Sequence, residues 1–328
     1  MSTVQAGFQP PPHPETGVFP RLSIVIVNWN LKEETCACIS SILEAGATPQ
    51  QIILVDNASE DGSVPMIRKM FGAELKILEM EKNLGFAGGN NAGIRDALGG
   101  ETEWVLLLNN DTVIARDMLT CLHQAAQKHP EYGILAPLIF YYDLPDVIWY
   151  LGHRLVPGTM ITRPILQNKP SPTNLPALIE VDFLVGCGVM IRREVFERVG
   201  LLDEAFFMYA EETDFFWRAR TVTRLACVPA ARMWHKVSMS ANRDKPKTRY
   251  YRIRNQIFFY RRYARGFQPL VMWIFTFFRV LGMSLRDAIQ TQPALLSAAW
   301  RGFGEGWFGS LVPSTVRESD LKLAPKER

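Results

Sequence analysis

Three apolar runs of strand length, each followed at once by Asn or Asp, dominate the first third of this 328-residue chain. They are Ser23–Asn28 (SIVIVN), Ile52–Val55 before Asp56, and Trp104–Leu108 before Asn109. A strand apolar on both faces must be covered on both faces, which calls for intervening helices and a parallel sheet of βαβ units. The intervening segments comply. Leu31–Ala45, a segment closed by Ile67–Phe71, and Asn91–Leu98 carry helical patterns, and Leu75–Leu78 adds another strand-like run. The expected fold is α/β, with a mostly parallel sheet flanked by helices. In such sheets ligands lie beyond the carboxyl ends of the strands. There the polar residues gather: Asn28 and Asn30, Asp56 and Asn57, Asn109 to Asp111.

Beyond Pro137 the pattern loosens. Residues 141–178, with several Pro and Gly and no period, read as an irregular excursion around the site. Val181–Arg192 is strand-like, Arg193–Val199 a short helix and Glu211–Arg220 another helix. Residues 1–20 are rich in Pro and lack the basic start and apolar stretch of an export signal, so a disordered lead-in is expected. The five cysteines are odd in number and scattered, which suits a reducing compartment. Cys36 and Cys38 stand two apart in a helical pattern and point to different sides, as buried thiols and not as a metal pair.

Five segments carry groups suited to chemistry. Asp111 follows a buried strand, where a divalent cation would compensate its charge; a cap for a helix starting near Ala115 is an equal reading on spacing alone. Asp56-Asn57 could recognise a nucleobase or ribose, or form an Asx turn before a helix. Asn83–Gly93 has four glycines just before a helix, as a backbone approaching phosphate requires, or as a bare glycine turn has. It lacks the G-x-G-x-x-G pattern of dinucleotide-binding folds. Glu211, Glu212 and Asp214 lie among Phe206, Phe207, Phe215, Phe216 and Trp217, where a carboxyl can gain the raised pKa of a general base or simply suit a helix start. His235, after the apolar run Leu225–Val228, means little without partners.

Taken in order, these segments resemble the family 2 glycosyltransferases with the GT-A fold, rhamnosyltransferase-like branch. The matching residues are SIVIVNWN (23–30), LVDNASEDGS (54–63), NLGFAGGNNAGI (83–94), LLLNNDT (106–112), GCGVMIRR (186–193), GLLDEAFFMYAEETDFFWR (200–218) and HKVSMS (235–240). The resemblance implies a nucleotide-sugar donor, dTDP- or UDP-linked, held by Asn28, Asp56, Gly85, Asn90 and Asn110. It implies a divalent metal, Mg2+ or Mn2+, on Asp111 and His235, and a base at Glu212 with Glu211 or Asp214 as alternates. Asn109 replaces the first aspartate of the usual Asp-x-Asp triplet, and Glu stands at the base position in place of Asp. The Gln-x-x-Arg-Trp motif of processive synthases is not found, which implies transfer of single sugars, rhamnose among them, to a glycan or lipid-linked acceptor, with inversion.

Charge is uneven. Residues 243–265 hold nine Lys or Arg against one Asp, so that this segment carries +8 and the rest of the chain −5. The apolar stretch from Pro269 to Met283 is short for a membrane span. On a helix, Thr276, Arg279, Arg286 and Gln290 form one narrow stripe beside a wide apolar face, which fits an interfacial helix on an anionic membrane surface. Packing on the catalytic domain or a dimer interface are the alternatives, and no nucleic-acid motif accompanies the charge. The expected organisation is a lead-in (1–20), a GT-A domain (21–242), a basic amphipathic helical extension (243–312) and a polar tail (313–328), in a cytoplasmic protein at the inner face of the membrane. The rival functions are a catalytically silent sugar- or nucleotide-binding module and a nucleotidyltransferase, for which Asn30–Thr35 supplies no basic Gly-rich loop.

Overall fold

The computed structural model describes Phe19, residues 21–237 and residues 245–310. The rest of the expected lead-in, the boundary at 242/243, residues 238–240 of the HKVSMS segment and the polar tail lie outside the described residues.

The first half alternates as its apolar runs require. In chain order it comprises β1 (Leu22–Asn28), α1 (Lys32–Glu44), β2 (Ile52–Asp56), α2 (Ser63–Phe71), β3 (Lys76–Glu79), α3 (Gly85–Leu98), β4 (Trp104–Asn109), β5 (Thr112–Ile114) and α4 (Met118–Lys128). The second half holds β6 (Tyr132–Tyr141), β7 (Ile148–Tyr150), β8 (His153–Leu155), β9 (Thr162–Pro164), β10 (Ile179–Val181), β11 (Gly188–Arg192), α5 (Arg193–Val199), α6 (Glu211–Ala219) and β12 (Arg224–His235). Three helices close the described chain: α7 (Lys245–Tyr263), α8 (Gln268–Ile289) and α9 (Pro293–Phe308).

The main sheet runs β10-β12-β6-β11-β4-β1-β2-β3, with β5 on β12 and β7 on β6. β3, β2, β1 and β4 are parallel. Because β4 returns to the far side of β1, a crevice opens beyond the carboxyl ends of β1 and β4. The other half is mixed: β11 is antiparallel to both β4 and β6, while β12 is parallel to β6. The sheet is therefore less uniformly parallel than the apolar runs suggest, since an apolar strand buried on both faces carries no mark of its direction.

Three local readings are corrected. The glycine run does not precede a helix; it is the first half of α3. Glycine costs about 1 kcal/mol per helical position relative to alanine, and here close packing on the sheet offsets that cost. A Cβ at Gly89 would come within 2.9 Å of Val27, and one at Gly93 would overlap the Val25 side chain. Asp111 also caps no helix, because residues 112–114 continue as β5 and pair with β12, and α4 starts only at Met118. The strand-like segment Val181–Arg192 is likewise broken, into β10 and β11.

The C-terminal helices join the body through α7, whose Phe259 and Tyr260 belong to the main hydrophobic core. Close packing lets α9 lie on α7, since a Cβ at Gly302 would stand 2.8 Å from the Tyr250 carbonyl oxygen. The polar stripe of α8 points inward, not outward. Thr276 is fully buried and accepts a hydrogen bond from Trp307 Nε1 (3.1 Å), and buried Asp287 pairs with Arg249 (2.9 Å). Only Arg286 and Gln290 of that stripe stay at the surface. What α8 exposes is apolar: Phe267, Leu270, Ile274, Phe278, Leu285 and Ile289. Among the described residues, α8 is the one helix long and apolar enough to cross a bilayer by length and composition.

Gly93→Ala gains helix propensity of about 1 kcal/mol but overpacks the face against β1, which costs about 1–3 kcal/mol. A lower urea midpoint is expected. Gly282→Ala meets nothing within 4 Å and should raise it by the propensity gain alone.

Candidate active site

The crevice is built on one buried amide. Asn28, fully enclosed at the end of β1, uses all four of its hydrogen-bonding positions. Its Nδ2 donates to Asp56 Oδ1 (2.7 Å) and Ser59 Oγ (3.0 Å), and its Oδ1 accepts from Thr35 Oγ1 (2.7 Å) and Asn110 Nδ2 (3.1 Å). Asn110 also donates to Thr35 (2.9 Å). The ends of β1, β2 and β4 and the start of α1 are thus cross-linked, and Asn28, Asp56 and Asn110 stand together. Asp56 closes its own turn as well, accepting the Ser59 amide at 2.9 Å. Asn57 reaches the glycine helix, donating to Asn83 Oδ1 and the Gly85 carbonyl, both at 3.0 Å. Gly85 has φ +73°, and a side chain there would collide with Phe207. Asn90 is not drawn into this cluster: it donates back to the Phe86 carbonyl (2.9 Å) within α3. Thr35 was not singled out from sequence, because a hydroxyl in a helix carries no signal of a long-range partner.

Asp111 and His235 meet across the sheet. β5 pairs His235 with Thr112, which brings His235 Nε2 to 3.0 Å from Asp111 Oδ1, both side chains buried. Trp149 stands edge-on to the imidazole at 4.5 Å, and His235 Nδ1 is buried without a hydrogen-bond partner. Two ligands adjacent on an octahedral cation with bonds of about 2.1 Å are separated by about 3 Å. The pair fits a divalent metal on that measure. No group of three or more His, Cys, Asp or Glu suited to a metal occurs among the described residues, so the remaining positions would fall to donor oxygens and water.

The acidic cluster divides by environment. Asp214 is fully buried and committed: Arg218 Nε (2.9 Å), Arg262 Nη1 (2.7 Å) and Tyr263 OH (2.9 Å) all donate to it. Both of its oxygens are engaged, so it ties α6 to α7 and is not placed to meet a substrate. Among the described residues Glu211 and Glu212 have no ion-pair partner. Burial first, then the neighbouring Glu212 charge, pushes Glu211 well above the ordinary glutamate value; burial also raises Glu212, against its hydrogen bond from Glu211. Both carboxyls of the pair are thus held above the ordinary glutamate range. Each keeps one buried carboxyl oxygen, Oε2, without a partner.

These groups converge on Cys187. Its buried thiol is pushed up by desolvation, then by the charges of Asp111 and Glu212, so both carboxylates lie near it. Tyr150, raised by burial and then by Glu212, forms another wall. A Cβ at Gly186 would stand 3.1 Å from the Phe86 ring of α3 and 3.6 Å from Glu212 Cβ. Trp149 and Tyr150 come from the irregular 141–178 excursion, whose lack of period hid them. The surface recess bordered by Arg21, Glu103, Arg192 and Arg193 lies at the opposite ends of the strands and contains none of these groups.

The model of the family described as "Glycosyl transferase family 2" matches residues 23–200. The low-salt glycan biosynthesis hexosyltransferase Agl10 of Haloferax volcanii is 32% identical over 61% of this chain and 61% of its own length. The N-acetylglucosaminyl-diphospho-decaprenol L-rhamnosyltransferase of Mycobacterium tuberculosis is 27% identical over 68% of this chain and 78% of its own. Among solved structures, the mannosyltransferase PcManGT of Pyrobaculum calidifontis, in complex with GDP-Man and Mn2+, has a TM-score of 0.52 at 17% identity and covers 95% of this chain and 81% of its own. S. aureus TarS 1-349 in complex with UDP-GlcNAc has a TM-score of 0.55 at 16% identity, covering 87% and 81%. These likenesses establish the fold as GT-A, a mixed sheet with flanking and C-terminal helices.

A raised carboxyl pKa has a signed effect on stability. Between the ordinary glutamate value of 4.5 and the raised values, the folded chain binds protons that the unfolded chain has released. The pair's contribution is therefore full at low pH and declines as pH rises through that window. A Glu211→Gln/Glu212→Gln double variant should gain on the parent in urea midpoint as pH is raised; a pH-independent difference would contradict the shifts.

Proposed function

We propose that the chain, which belongs to glycosyl transferase family 2, moves a single sugar from a nucleotide-sugar donor to a hydroxyl of a glycan or lipid-linked acceptor in cell-envelope glycan synthesis. The observation that carries this reading is that the crevice and the acidic helix meet at Gly186-Cys187: the Asn109 amide, two residues before Asp111, donates to the Cys187 carbonyl at 3.0 Å, and a Cβ at Gly186 would stand 3.6 Å from Glu212 Cβ. One carboxylate paired with an imidazole suits a metal-bridged diphosphate, and an ionisable carboxylate without cations suits a base. Rhamnose as the sugar and dTDP or UDP as the carrier are supported by the rhamnosyltransferase among the relatives and the UDP-sugar bound by a neighbour of the same fold.

In this mechanism Asp56, oriented by Asn28, holds the nucleoside end at the β1–β2 edge, and Gly85 lets the start of α3 close on Phe207 beside the sugar diphosphate. Asp111 and His235 would hold a divalent cation, whose chemistry is to neutralise charge growing on the departing diphosphate. Glu212 accepts the proton of the acceptor hydroxyl as that oxygen attacks the anomeric carbon from the face opposite the nucleotide, so the configuration inverts. Glu211, its buried neighbour, shares the raised carboxyl environment of that base. Gly186 lets the Phe86 ring and Glu212 close on the same segment.

The apolar face of α8 suits the surface of an anionic membrane, where a lipid-linked acceptor resides. Exposed Arg252, Arg261, Arg265 and Arg286 on α7 and around α8 supply complementary charge. Lying in the interface fits better than spanning, because the Asp287–Arg249 pair and buried Thr276 bind one side of α8 to its neighbours. That location is cytoplasmic and peripheral.

A screen of UDP-, dTDP- and GDP-sugars with Mg2+ or Mn2+, read as released nucleoside diphosphate, tests the activity. Asp111→Ala, Glu212→Gln and chelation of the metal should each abolish transfer, by a factor on the order of 10² or more. Silence of the parent across all donors would favour a non-catalytic binding module, and near-normal turnover by Glu212→Gln would move the base elsewhere. The membrane reading is tested by flotation. The chain should rise with vesicles containing phosphatidylglycerol and not with phosphatidylcholine alone, and Phe278→Glu/Ile289→Glu should stay at the bottom while remaining folded by circular dichroism. Equal flotation of that variant removes α8 as the docking face.

A further inference from the structure

The segment that delivers Glu211 and Glu212 is held in a conformation that its own residues disfavour. Phe207, Tyr209 and Ala210 have φ of +64°, +68° and +70°, and none is glycine. Phe207, with ψ −60°, sits at the centre of a three-residue turn in which the Met208 amide donates to the Phe206 carbonyl at 2.7 Å. Turns of that hand are rare and strained for L-residues, and they persist only where surroundings over-determine them. α7 packs on this turn through Tyr251, which stacks on Phe207 at 5.3 Å, and Arg252, which lies over Tyr209 at 5.7 Å, but the backbone carbonyls of the turn are met by one of its side chains. Asn255 is fully buried, and its Nδ2 lies 2.7, 2.8 and 2.9 Å from the carbonyl oxygens of Phe206, Met208 and Tyr209. Its Oδ1 accepts from Arg254 Nε (2.8 Å), which orients the amide with its N–H groups toward the turn. The same turn touches the donor side, because the Phe207 carbonyl accepts the Ala87 amide of α3 at 3.2 Å.

We infer that Asn255 is a positioning residue: its amide gathers three carbonyls of the strained turn, and so sets where the Glu211–Glu212 pair stands against the donor helix. The inference rests on the reading of that pair as the catalytic acid–base group. Asn255 touches no reacting atom and acts only through the turn. The other contacts of α7 hold side chains and not the carbonyls of the turn: Tyr251 stacks on the Phe207 ring, and Arg262 and Tyr263 bind Asp214, one helical turn further on. Losing the amide would leave three carbonyls without their shared donor and free φ at Phe207, Tyr209 and Ala210 to relax, displacing the carboxyl pair while the β1–β2 donor edge stays in place.

The test compares full-length parent, Asn255→Ala, Asn255→Ser and, as a control on the same helix, Gln256→Ala, whose side chain bonds only within α7. Asn255→Ala should lower kcat on the order of 10²-fold, as small misplacements of reacting groups do, with donor KM within about threefold of the parent. Asn255→Ser keeps one donor and should fall between. The pH below which turnover is lost should shift in both, and amide hydrogen exchange should rise across residues 206–212 without rising in β1 or β2. Gln256→Ala should match the parent in all four readouts. A kcat in Asn255→Ala within roughly fivefold of the parent overturns the inference. So does a loss that follows the folded fraction while the pH dependence and the exchange at 206–212 are unchanged. If the parent itself transfers no sugar, the functional reading fails separately, and unchanged exchange at 206–212 still removes Asn255 as the holder of the turn.

Discussion

The rim of the crevice hangs from the buried side-chain amide of Asn28. A strand end is where backbone groups lose their ladder, and a polar side chain buried there without partners costs about 1–3 kcal/mol. Asn28 meets that constraint by linking Asp56, Ser59, Thr35 and Asn110 in one network. The carboxyl ends of β1, β2 and β4 become a single rigid rim, whereas three separate loops could not fix a donor at both its base and its diphosphate. Asp111 follows directly from Asn110, so the carboxylate proposed to hold the metal takes its position from the same amide.

The buried carboxylates show how electrostatics sorts similar residues into different work. Asp214 and Glu211 are three positions apart on α6 and both are enclosed. Asp214 faces Arg218 and Arg262, and its charge is compensated; it ties α6 to α7. Glu211 and Glu212 have no ion-pair partner among the described residues, and burial raises both. An uncompensated buried carboxyl pair destabilises a fold at neutral pH, so its retention beside a crevice speaks for chemistry.

What could be read in advance divides along the range of the interaction. Strand and helix assignments in the first 110 residues follow from local periodicity, and the polar strand ends follow from it too. The role of Asn110 as a cross-link, the edge-on packing of Trp149 on His235, and the approach of Tyr150 to Glu212 depend on pairing of segments far apart in the chain, which no local pattern encodes. The glycine run misled for a related reason. Four glycines look like a loop because their helix propensity is poor, and only the closeness of Val25 and Val27 explains why α3 tolerates them. Equivalence of Glu211, Glu212 and Asp214 in the sequence was broken by residues some 48 positions away, on α7.

The helix α8 presents the converse lesson about amphipathicity. A narrow polar stripe beside a wide apolar face is ordinarily read with the apolar face toward the core. Here Thr276 and Asp287 point to α7 and α9, and the wide apolar face is left outside. The inversion needs partners on the inward side, and Trp307 meets Thr276 while Arg249 meets one oxygen of Asp287. A helix so arranged is anchored to the protein by its hydrogen bonds and ion pair, leaving its hydrophobic area available to a medium other than water. Because α7 carries both Arg249, which holds α8, and Asn255, which holds the turn before Glu211, the surface that would meet a membrane and the carboxyl pair are fastened to one helix.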